Sequence, residues 1–165
     1  MLDNAALLFM KQAFLNKKFM SYKNLEVWRM ARDLSIDIHK MTLALPKFEQ
    51  FEEASQIRKS SKNVRSTIVE GYGRRYYKAD YVKYIIYALA SNDETIDHLE
   101  TIYETGSLTN KELFDNLHKR LQILGRKINN FLQTVQASHQ KPGHVNESEG
   151  EYNSANERVL PASSI

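Results

Sequence analysis

The chain has no cysteine, which excludes disulfides, thiolate metal sites and a cysteine nucleophile. It has no uncharged stretch long enough to span a bilayer. The N-terminus holds Ala5-Ala6-Leu7-Leu8-Phe9-Met10, but positive charge follows this run, and the run is too short for the core of an export signal. Without crosslinks or a signal, a cytoplasmic protein with no membrane association is expected. Sustained apolar–polar alternation is also missing, and with it the pattern of a half-buried sheet. Nor is there a large excess of one charge. The net is +3, unevenly placed: residues 141–165 carry Lys141 and Arg158 against Glu147, Glu149, Glu151 and Glu157, a net of −2, which leaves +5 on the rest. So mild a balance does not by itself argue for nucleic acid. The 165 residues suit one domain with a sizeable core.

Four long segments repeat apolar residues at alternating spacings of three and four, as helices burying one face do. The first is expected from about Leu25 to Leu45, with Val27, Ala31, Leu34, Ile38, Met41 and Leu45 as its seam, Asn24 as N-cap and Pro46 as its stop. The second, Glu49 to Tyr72, has Ala54, Ile57, Ser61, Val64 and Ile68 inward. Small Ser60 and Ser61 favour a close neighbour, and Gly71 and Gly73 are expected to end the helix. The third, Ala79 to Thr105, faces the core with Ile85, Leu89, Ile96, Leu99 and Tyr103, and Gly106 caps it. The fourth opens on a capping box, Thr109 to Glu112, and continues through Leu113, Leu117, Leu121, Leu124, Ile128, Phe131 and Val135. Short joining loops force antiparallel neighbours, so the expected fold is all-α, an antiparallel up-down-up-down four-helix bundle over residues 21–140. Residues 1–20 read as an N-terminal extension, either a short helix or a stretch upstream of a true start at Met20. Residues 141–165 are polar, and too poor in large apolar groups to offset the entropy of ordering.

Arg58, Lys62 and Arg65 are spaced by four and three, which at about 100° per residue places them beside the seam of the second helix. A solvated charged face accounts for them. An acidic stripe on the third helix, Asp93, Asp97, Glu100 and Glu104, supports a second reading. If the hairpin turns near residue 75, Arg58 lies level with Asp93 and the rest of the two stripes is offset, as subunit contacts would require. Arg58, Lys62, Tyr81, Tyr84, Asp97 and Glu100 are the expected interface residues.

Tyr72, Tyr76, Tyr77, Tyr81, Tyr84 and Tyr87 are six of the nine tyrosines, interleaved with Arg74, Arg75, Lys78 and Lys83. From Gln56 to Lys78 seven bases stand against one acid, Glu70, a local +6. Cations beside rings suit single-stranded nucleic acid, with phosphate on the cation and base on the ring. The candidate binding residues are Arg58, Lys62, Arg65, Arg74, Arg75, Tyr76, Tyr77 and Lys78. Tyrosines at helical spacing that merely widen an apolar face explain part of the same pattern.

Gly71-Tyr72-Gly73 lacks the preceding strand and third glycine of a phosphate-binding fingerprint. His39, His98, His118, His139 and His144 lack ligand spacing, and no Glu-x-x-His pair accompanies Asp93, Glu94 and Asp97. No enzyme, metal or cofactor is expected.

From Ser21 to about Gln136 the chain resembles the four-helix-bundle proteins encoded within intervening sequences of bacterial 23S ribosomal RNA genes. That family also includes relatives of the accessory variability protein of diversity-generating retroelements. The resemblance rests on Tyr22-Lys23-Asn24-Leu25-Glu26-Val27-Trp28, Leu45-Pro46, Gln56-Ile57-Arg58-Lys59-Ser60, Ile68-Val69-Glu70-Gly71-Tyr72-Gly73-Arg74, Glu94 and Leu99-Glu100-Thr101. Asn24 stands where aspartate is common and Lys59 where arginine is common. The resemblance implies a homopentameric ring of bundles and, for the accessory members, binding of nucleic acid and a reverse transcriptase. Two readings follow: a non-catalytic nucleic-acid-binding oligomer, or a protein-interaction scaffold whose charge stripes serve only self-assembly.

Overall fold

The computed structural model describes residues 21–137. The expected extension at 1–20 and polar tail at 141–165 lie outside the described residues. Four α-helices, α1 (Glu26–Leu43), α2 (Glu53–Gly73), α3 (Lys78–Glu104) and α4 (Lys111–Ala137), form a bundle, and among the described residues there is no strand. Short 3-10 turns precede α1 (Tyr22–Asn24) and α2 (Lys47–Phe51). The packed helix pairs are α1–α2, α2–α3, α3–α4 and α4–α1. Ion pairs Arg120–Asp37 at 2.8 Å and Lys127–Glu26 at 2.9 Å join α4 to α1.

The seams of α1 and α2 are those the periodicity predicts, with Ile38, Ile57 and Ile68 sealed from solvent. On α4, Leu117, Leu121, Leu124, Ile128 and Val135 are buried as expected, while Leu113 and Phe131 are half-buried and Leu132 is buried. The inward face of α3 differs. Leu89, Ile96 and Tyr103 are only half-buried, while Tyr81, Ile85, Ala88, Ser91, Asn92, Thr95, Leu99 and Ile102 point inward. The reason is that α3 packs against both α2 and α4, and the middle of α2 offers it small polar groups. The Thr95 and Ser60 hydroxyls lie 2.9 Å apart, and Asn63 Nδ2 donates to Ser91 Oγ at 2.8 Å. Asn92, fully buried, donates to the Leu121 carbonyl of α4 at 3.3 Å.

These contacts also correct the register. Ser60 meets Thr95 and Asn63 meets Ser91, which by their register sets Arg58 about a turn away from Asp93, while Glu53 meeting His98 keeps the expected offset at the start of α2. The hairpin turns near residue 75, as expected: α2 runs unbroken to Gly73 and Arg74–Tyr77 makes the connection.

Four local expectations change. Asn24 sits inside the 3-10 turn that Ser21 caps, and Leu25 is the N-cap of α1. The segment from Glu49 does not open α2. Glu49 is buried, accepting from Ser107 Oγ at 2.6 Å, and Arg58 donates to both the side chain and the carbonyl of Gln50, which holds the segment off the helix. Asn110, not Thr109, caps α4, its Oδ1 accepting from the Leu113 amide at 3.0 Å. Gly71 and Gly73 are helical. Gly106, at φ 78°, is the one positive-φ residue among those described, and it ends α3 through Gly106 N to Tyr103 O and Leu108 N to Ile102 O, both 3.0 Å.

Candidate nucleic-acid interface

The end of the bundle that carries the α2–α3 connection is built by α2 delivering Tyr72 inward and releasing Arg74, Arg75, Tyr76 and Tyr77 as a tight turn. The Tyr77 amide donates to the Arg74 carbonyl at 2.8 Å and closes it. Gly71 lets the two helices approach, since a β-carbon there would stand 3.0 Å from Tyr84 Cβ.

The tyrosines divide by burial. Tyr72 and Tyr81 are 9% exposed and belong to the core, Tyr81 lying edge-on to Phe131. Burial, with Tyr72 adding and Arg75 opposing, pushes the Tyr81 phenol up to about 12. Tyr76 and Tyr77 stand 44% and 70% exposed.

Most of the arginines are held within the chain. Arg75 lies 4.4 Å from the Tyr72 ring centroid and 4.5 Å from that of Tyr76, and donates to the Tyr72 carbonyl and the Tyr76 hydroxyl, each at 3.0 Å. Arg74 reaches Asp80 at 3.4 Å. Arg58 is bound to Gln50. Arg65 lies 5.8 Å from the Trp28 ring centroid, and Arg32 lies 5.6 Å from the same centroid. Exposed contacts of this kind contribute about 0.5–1 kcal/mol each, enough to orient a side chain and little enough to be exchanged for a ligand.

Lys62 and Lys78 are exposed and, among the described residues, make no ion pair, and Lys59, outside the set expected from the sequence, is in the same position. Lys62 lies on the rim of a cleft of about 820 Å³ between α1 and α2, whose lining includes Trp28, Ile36 and Val69. Sequence spacing could not reveal it, since it takes residues from two helices. The structure thus brings Arg74, Arg75, Tyr76, Tyr77 and Lys78 together at one end, while Arg58, Lys62 and Arg65 run down the side of α2. On α3, Asp97 is exposed and unpaired among the described residues, and Glu100 meets His118 Nε2 at 2.6 Å. No ion pair joins the basic stripe to the acidic one among the described residues. Among them, too, no group of His, Asp and Glu is placed to hold a metal ion, and no helix is long and apolar enough to cross a membrane.

The sequence model of one family, described as 23S rRNA-intervening sequence protein, matches residues 23–130. Among solved structures, the fold is similar to that of a protein of unknown function from the S23 ribosomal protein family of Bacteroides thetaiotaomicron. The TM-score is 0.60 at 18% identity, over 66% of this chain and 96% of that one. No curated protein matches the chain.

Proposed function

The chain belongs to the 23S rRNA-intervening sequence protein family, and from that premise we propose a non-catalytic bundle, running up-down-up-down, that self-associates and binds RNA or DNA at its α2–α3 end. The observation that carries this reading is charge beside exposed rings. Seven bases stand against one acid between Gln56 and Lys78, and the turn within that stretch exposes Tyr76 and Tyr77. The arginines held by Tyr72, Tyr76 and Asp80 shape the surface, and Lys59, Lys62 and Lys78 add exposed cations that make no ion pair among the described residues. Contacts to phosphate carry no sequence information, so binding is largely indifferent to sequence. It falls steeply with salt, because each neutralised phosphate releases counterions.

The family resemblance supports a homopentameric ring, which would present the patch repeatedly and raise avidity. A role as accessory to a reverse transcriptase belongs to the same reading, and a reverse-transcriptase gene beside this one would favour it. The scaffold reading draws on a different observation. Ile36, Leu43, Phe48, Phe51 and Ile86 are exposed apolar groups, suited to contacts between proteins.

The test is titration of labelled single-stranded RNA and DNA against the wild type and an Arg74→Ala/Arg75→Ala/Lys78→Ala variant of unchanged mass. The variant is expected to bind at least tenfold more weakly and with a shallower salt dependence, by roughly one unit of slope for each phosphate no longer neutralised. Equal affinity, or no binding by either protein at low salt, moves the conclusion to the scaffold.

A further inference from the structure

A flank of α3, where half-buried Tyr84 stands beside α2, continues the aromatic surface beyond the turn. The Arg74 guanidinium lies 5.2 Å from the Tyr84 ring centroid, Tyr84 and Tyr87 meet edge to face at 6.0 Å, and Lys83 Nζ lies 5.8 Å from the Tyr87 ring. At about 100° per residue, Lys83, Tyr84 and Tyr87 fall within roughly a third of the helix circumference. With Tyr77, the extended N-cap just before the helix, they span about 15 Å at 1.5 Å per residue. Tyr77 and Tyr87 are 70% and 45% exposed, so their rings are not spent on the core. The row then stops. The next exposed charged residues on α3 are Asp93, Glu94 and Asp97, which would repel a polyanion.

We propose that this row is a stacking track for the unpaired bases of single-stranded nucleic acid. Tyr84 and Tyr87 take bases, while Arg74 and Lys83 leave the ring faces for phosphates. The proposal rests on the nucleic-acid reading above and specifies its ligand. Bases in a duplex are stacked on one another and offer a tyrosine no free face, whereas a splayed base does. The two cations are free to move: the contact of Arg74 with Asp80 is long, at 3.4 Å between half-exposed side chains, and Lys83 is exposed. The change of sign at Asp93 limits the track to a few nucleotides and makes it end inside α3.

Three full-length proteins decide it: wild type, Tyr84→Ala/Tyr87→Ala and Tyr84→Phe/Tyr87→Phe. Alanine keeps the Tyr84 β-carbon against which Gly71 packs, and light scattering checks the mass of each protein. The probes are labelled RNA and DNA single strands of about 16 nucleotides, and a duplex of equal length. The wild type is expected to favour the single strands. The alanine variant should lose about tenfold or more for RNA and DNA strands alike, since stacking uses the base rather than the sugar, and the phenylalanine variant, which keeps both rings, should bind as wild type. Unchanged single-strand affinity in the alanine variant, with the Arg74/Arg75/Lys78 variant still impaired, would overturn the track and leave the nucleic-acid reading standing. A lost affinity accompanied by a lower mass would assign the row to a subunit contact and overturn it equally. No binding of any probe by the wild type at low salt would overturn both.

Discussion

Gly71 and Gly73 stand two residues apart on α2 and answer to different constraints. A β-carbon at Gly71 would meet Tyr84 Cβ at 3.0 Å and Tyr81 Cδ2 at 3.3 Å, whereas at Gly73 it would meet nothing within 4 Å. Neither has positive φ. Gly71→Ala is therefore expected to destabilise by about 1–2 kcal/mol, overpacking outweighing the helical preference of alanine. Gly73→Ala should stabilise by up to about 1 kcal/mol through a stiffer unfolded chain. Urea denaturation of the pair reads both signs. Tyr81 supplies a second residue-scale prediction. Its phenol ionises near 12 in the fold and near 10 in the unfolded chain. Below pH 10 both states hold the proton and nothing changes. Above it the unfolded state binds fewer protons, so stability falls by about 1.4 kcal/mol per pH unit until about pH 12. Tyr81→Phe should be flatter than wild type over that window in melting temperature against pH. A parallel slope would show that Tyr81 titrates normally.

At the scale of the element, helix ends separate residues that composition alone treats as equivalent. Thr109 and Asn110 both suit an N-cap, and the Asn110 side chain is the one that accepts from the Leu113 amide. Asn110→Ala should cost about 1 kcal/mol in chemical denaturation, and Thr109→Ala well under half of that; the reverse order would restore Thr109 as the cap. The 3-10 turn Lys47–Phe51 shows the same logic in a connection. Its backbone follows where Glu49 and Gln50 find partners, in Ser107 and Arg58, and not the helix pattern that runs through its sequence.

For the whole molecule, the two ends of the bundle differ. One carries the basic, tyrosine-rich turn. The other, where α1 gives way to α2, exposes Leu43, Phe48 and Phe51. Along its side, Lys59 and Lys62 on α2 and Asp93 and Asp97 on α3 lie exposed without completing ion pairs to one another. Charges left open in this way contribute little to the stability of one subunit and are suited to register and partner choice between subunits. A symmetric homo-oligomer is expected in light scattering at low and moderate salt, and Asp97→Lys should lower its mass. Adding Lys62→Glu should restore part of it, if those two groups face each other across the contact. A monomer under all these conditions would refute self-association.

The number of helices, the seams of α1 and α2, most of that of α4 and the glycine stop at Gly106 were legible in the sequence, because helical periodicity and left-handed backbone are local properties. The grouping of Arg74 to Lys78 was legible for the same reason, as a contiguous stretch. The inward face of α3 was not. Leu89 and Ile96 obey the helical period as well as Ala88 and Thr95 do, and only contact with two neighbours selects the small polar face. The register of α2 on α3 likewise came from the Ser60–Thr95 and Asn63–Ser91 contacts. Sequence also could not say which cations are committed. Trp28 holds Arg65, Gln50 holds Arg58, and Tyr72 with Tyr76 hold Arg75, so a row of charges that looked equivalent became anchored arginines among a few lysines that make no ion pair within the described residues. The partners of Arg75 are its near neighbours in the chain. Those of Arg58 and Arg65 lie on other elements, and packing alone brings them together.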